Sequence, residues 1–86
     1  MSNVWLLPSG ADSAPDAAPG DHLVRLDGED AEIALVTAGG PEWLGSVPAS
    51  ALGSLPPAGS GATRIEDEQV VIAVDGVASA LNEQGG

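Results

Sequence analysis

The sequence predicts a small all-β domain that ends in a C-terminal β-hairpin, with room for one short helix. Three observations carry this. Short apolar runs are punctuated by glycine, proline and acidic turns; an Asp-Gly pair stands between two alternating segments; and β-branched residues crowd the run Val70-Val71-Ile72. At 86 residues the chain makes one domain at most, with a thin core.

Residues 8–20 (PSGADSAPDAAPG) contain three prolines and two glycines, which reads as a long loop or arm with little to bury. Two strands follow. In His22–Leu26, Leu23 and Arg25 alternate against Val24 and Leu26, and in Ala31–Val36 the residues Ile33 and Leu35 share a face. Asp27-Gly28 between them is a hairpin signal. Residues 53–63 (GSLPPAGSGAT) form a second connector, which divides the chain into a body at 1–56, a linker at 57–63 and an extension at 64–86. The extension is predicted as a hairpin from Thr63-Arg64-Ile65 through Glu66–Gln69 to Val70–Val74. Beyond Val74 either a further strand, Val77–Leu81, or a short helix capped by Asp75 and ending before Gly85 is expected. The Ala, Leu, Glu and Gln content favours the helix.

Charge narrows the partner. Thirteen acids face two arginines, Arg25 and Arg64, and lysine is absent, for a net charge of −11. Direct nucleic-acid binding through phosphates requires clustered positive charge, and an anionic membrane surface would repel this chain. A protein with a basic surface would be attracted to it. The longest apolar run, Val70–Val74, is far short of the roughly 20 residues of a spanning helix. Met1–Leu7 lacks the positive region of a secretory signal, and no cysteine is available for disulfides. Cytoplasm or virion is the expected setting.

Catalytic and metal chemistry find little to use. His22 beside Asp21 could be an oriented base, but no serine stands in a nucleophile motif, and a solvated loop histidine is the expectation. Asp27-Gly28-Glu29-Asp30 and Glu66-Asp67-Glu68 lack the ligand spacing of a calcium loop, and the loop glycines lack a phosphate-cradling lysine. No catalytic residue, metal or cofactor is assigned. The terminal Gly85-Gly86 matches the tail of ubiquitin-like modifiers and sulfur carriers, although the central long helix of their fold is not predicted.

Between Gly20 and Leu52 the pattern resembles the SH3-like small β-barrels. Gly20-Asp21-His22-Leu23 is similar to that family's turn into its second strand. Gly45-Ser46-Val47-Pro48-Ala49-Ser50-Ala51 is similar to its later Gly-x-Val-Pro-Ser-Asn-Tyr stretch, which leads into a one-turn 3₁₀ segment and a last strand. The 28-residue step from Gly20 to Pro48 suits the family, and Val4-Trp5-Leu6-Leu7 falls where its first strand would lie. The resemblance covers about residues 4–56 and implies a barrel with residues 8–20 as its long first loop. It also implies a groove in which Trp5, Leu7 and Pro48 meet beside the acids Asp12 and Asp16. Phenylalanine and tyrosine are absent, and the family's paired tryptophans match Ile33-Ala34, so ordinary proline-rich recognition is not expected. Trp43 is either a lid over the barrel or an exposed anchor.

The resulting expectation is a non-enzymatic interaction or assembly module, an acidic accessory subunit of a larger complex. Trp5, Leu7, Asp12, Asp16, Trp43 and Pro48 would meet the partner, and a homo-oligomer or repeated copy in an assembly fits the same composition. The alternatives are a virion decoration or joining protein, a carrier using its diglycine, and an acidic mimic of nucleic acid.

Overall fold

A computed structural model describes residues 3–8, 10–57 and 61–85. Five strands form one mixed sheet: β1 (Val4–Leu7), β2 (His22–Asp27), β3 (Asp30–Thr37), β4 (Gly40–Pro48) and β5 (Thr63–Ile65). A one-turn 3₁₀ segment, Ala49–Leu52, follows β4, and an 18-residue helix, α1 (Glu68–Gly85), follows β5. The spatial order is β4-β3-β2-β1-β5. Strands β2, β3 and β4 make an antiparallel meander, while β1 runs parallel to β2 and antiparallel to β5.

The β-rich character expected from the sequence holds, but two finer expectations do not. The sheet is open, with β4 and β5 as its edges, and is not closed into a barrel. Closure would bring those edges together over the face that α1 covers. The second hairpin is also replaced: Thr63–Ile65 is a strand, but Val70–Val74 lies within α1, which begins well before the short helix expected after Asp75. Asp67 starts the helix, its carboxylate accepting from the amides of Gln69 (2.9 Å) and Val70 (3.3 Å). Val70, Val74 and Ala78 then recur every four residues on the buried stripe, flanked by Val71, Val77 and Leu81. That burial outweighs the strand preference of the β-branched run. Part of the expected linker, residues 58–60, lies outside the described residues; beyond it β5 is hydrogen-bonded to β1 and α1 shares a core with the sheet.

Alternation along the strands divides the core in two. Val4, Leu6, Val24, Ala31, Ile33 and Ile65 face α1 and pack with Leu52, Val70, Val74 and Ala78. Each large aliphatic side chain buried there contributes about 1.5–3 kcal/mol relative to exposure. The approach is close at the far end of the helix, where a methyl group added to Gly45 would stand 3.1 Å from Leu81 Cδ2. On the opposite face Leu7, Leu23 and Ala34 form a smaller cluster with Ala14, Trp5 and Trp43 around them. The connection between the parallel strands β1 and β2 passes over this second face. It is the Pro/Ala/Gly arm, turned tightly by bonds from Ala11 N to Pro8 O (3.1 Å) and from Ala17 N to Ala14 O (3.0 Å). Ala11, Ala14 and Ala17 face the sheet, so the arm expected to have little to bury serves as its cover.

At the β2–β3 turn Gly28 has φ +62°, a left-handed conformation that the Asp-Gly signal anticipates. The β3–β4 pairing carries a bulge opposite Ile33/Ala34, where Trp43 and Gly45 are the paired residues and Leu44 is the extra one. Pro41 and Pro48 are tolerated in β4 because it is an edge strand.

Candidate partner-binding face

The arm-side face is organised by one carboxylate and one guanidinium. Asp21 is 5% exposed and accepts from the amides of Asn3 (3.0 Å) and Ala18 (2.9 Å) and from the Trp5 indole Nε1 (3.1 Å). It therefore ties the start of β1, the end of the arm and a tryptophan into one joint. Burial alone would push its carboxyl up; the amides of Ala18 and Asn3, the indole and neighbouring His22 outweigh that and hold it below the usual carboxylate range.

Arg25 is the second organiser. Its guanidinium bridges Asp12 of the arm and Glu32 of β3, bonds the Ala11 carbonyl (3.4 Å) and lies over Trp43, 4.3 Å from the ring centroid. The register places Arg64, Trp5, Leu23, Ala34 and Trp43 in one row across all five strands, with Leu7, Arg25, Glu32 and Ser46 in the next.

The residues singled out from the sequence are distributed unevenly over this face. Trp5 is half-buried and Leu7 is 1% exposed in the arm-covered cluster, so Leu7 offers no surface to a partner. Ala11, Ala14 and Ala17 of the arm share the cluster around Trp5. Asp12 is spent on Arg25, and Asp16 is exposed on the arm. Trp43 is half-buried on the edge strand, and Pro48 is exposed at the end of that strand, three strands from Trp5. The expected meeting of Trp5, Leu7 and Pro48 in one groove does not occur. What remains accessible is the β3–β4 side, where Glu32, Trp43, Leu44, Gly45 and Ser46 line a shallow hollow of about 240 Å³. Arg25 and Asp21 were not assigned to a site from sequence. The signal for Arg25 was available: it is one of only two cations in the chain and stands on an alternating strand.

His22 is not the solvated loop residue expected. It opens β2, is 8% exposed, and its Nδ1 is buried with no hydrogen-bond partner among the described residues. It faces α1 at a second shallow hollow, about 180 Å³, shared with Leu35, Leu44, Asp75, Ser79 and Asn82. Asp21 does not orient it as a base, because both carboxylate oxygens are already engaged elsewhere. Burial pushes the imidazole below its ordinary value, and Asp75 and Asp21 pull it only part of the way back. A depressed value in the folded state means the unfolded chain binds the proton more tightly. Stability should thus be full above about pH 6.5 and fall as pH drops through the folded value. Thermal melts between about pH 7 and pH 5 should show this slope in the natural chain and a flatter one in His22→Gln; parallel curves would exclude His22 as its source.

No family model, curated protein or solved structure matches the chain. No helix among the described residues is long and apolar enough to cross a membrane.

Proposed function

We propose that the chain is a non-catalytic interaction or assembly module, an acidic accessory subunit that docks on a partner with a basic surface. The observation that carries this is how the charges are spent. Arg25 is taken by Asp12 and Glu32, and Arg64 by Glu66 (2.8 Å). Ten of the thirteen acids have no ion-pair partner among the described residues; Asp21 and Asp67 of these are committed to internal N–H donors, and no arginine is left over to balance the rest. Such a surface attracts cations and repels polyanions. Kinship with SH3-like domains over residues 4–56 belongs to the same proposal. A first strand, a long first loop, a second strand entered through Gly20-Asp21 and a 3₁₀ turn after Pro48 occur in the order the resemblance implies. The groove of that family is not carried over, because the arm occupies the face around Trp5 and Leu7.

Binding of the purified protein to a basic partner protein captured at low salt tests this. The association rate should fall about tenfold or more between low salt and roughly 0.15 M, with the dissociation rate little changed. Equal association rates at both salt concentrations would reduce the acidic surface to a solubility feature.

A further inference from the structure

We infer that the free edge of β4 is the contact surface, and that it takes an extended segment with alternating apolar and basic side chains as a sixth strand. This rests on the reading of the chain as an acidic partner-binding module and names the element that does the binding.

The two edges of the sheet are unequal. β5 offers three residues, whereas β4 is nine residues long and among the described residues pairs only with β3. Between Pro41 and Pro48 the segment Glu42–Val47 keeps every backbone N–H, so its outward amides and carbonyls can pair with an added strand. Lysine, a common guard of exposed edges, is absent from the chain, and Glu42 is the one charged residue of this segment. The guards present are the flanking prolines and the bulge at Leu44, so an added strand pairs on either side of that bulge.

Successive side chains of an added strand point to opposite faces, and each face of β4 has a place to receive them. On the arm side lies the hollow with Trp43 and Ser46, bordered by Glu32, whose carboxylate is held by Arg25. On the helix side lies the hollow between Leu44 and α1, carrying Asp75, Ser79 and Asn82. Asp75 has no ion-pair partner among the described residues, and Glu42 is exposed on the strand itself. An aliphatic side chain would pack on Trp43 or Leu44 while a lysine or arginine reaches Glu42 or Asp75. A second copy of this chain is the wrong occupant, because each copy carries −11 and would bring Glu42 against a like-charged neighbour.

The test uses the intact protein and a synthetic peptide the length of β4 with alternating valine and lysine. Controls are the same peptide N-methylated at every second residue, which keeps its charge but cannot pair along one edge, and polylysine. The first peptide should bind and slow amide exchange within Glu42–Val47, and N-methylation should weaken binding about tenfold or more. If all three bind alike, with no protection in β4, the acidic-module reading stands and the edge assignment falls. If none binds at low salt, both fall. Self-association of the protein through β4, seen by sedimentation with β4 amide protection in the absence of peptide, would also overturn the assignment.

Discussion

Replacing Asp21 with alanine is expected to cost about 3–5 kcal/mol of stability, because one change orphans three donors at once. The amides of Asn3 and Ala18 and the Trp5 indole converge on its two oxygens, and the residue is 5% exposed, so water can replace the carboxylate only in part. The joint also holds the arm at the point where it enters β2, so the loss should loosen the cover over Leu7 and Leu23. Trp5→Phe removes one of the three bonds and keeps most of the ring contact; about 1 kcal/mol is expected there. The pH dependence follows from the sign of the shift. A carboxyl held below its ordinary value in the folded state contributes stability that is complete above the unfolded value, near 4, and is lost as pH falls through the folded one. Asp21→Asn should therefore be less stable at neutral pH and lose less on acidification. Urea melts of the three variants at two pH values decide the matter. An alanine variant within about 1 kcal/mol of the natural chain would show that the joint is not tight.

The parts legible in the sequence were those set by local chemistry. Gly28 after Asp27 marks a turn whose φ only glycine adopts easily, and the alternation of Leu23 with Arg25 and of Val24 with Leu26 places those side chains on opposite faces. The 3₁₀ turn after Pro48 was legible in another way, through the resemblance of Gly45–Ala51 to the SH3-like stretch that leads into such a turn. β4 was harder to see, because the bulge at Leu44 breaks its alternation and glycine and proline interrupt it. The arm's role is hard to read because alanine is small, yet Ala11, Ala14 and Ala17 recur every third residue and pack on the sheet. The buried joint at Asp21 was invisible for a different reason. Its partners come from residues 3, 5 and 18, and nothing in the sequence announces that Asn3 and Ala18 will meet.

Valine runs are the remaining ambiguity of such sequences, and α1 provides a direct experiment on it. In the hairpin expected from Val70-Val71-Ile72, side chains of period two would put Val70, Ile72 and Val74 on one face. In the helix Val74 is fully buried against the sheet, while Ile72, two residues earlier, is 65% exposed. An aspartate at position 74 would bury a carboxylate among Val4, Leu6 and Ile33 with no donor assigned to it, which costs about 4 kcal/mol or more. For a domain this small that approaches the whole folding free energy, so Val74→Asp should be largely unfolded at room temperature. Ile72→Asp should change stability by less than about 1 kcal/mol, since it removes an exposed side chain and places a carboxylate in water. Circular dichroism and one-dimensional proton spectra of the two variants separate the arrangements. Comparable damage at both positions would mean that residues 70–74 pack as a strand and that the helix face described above is wrong.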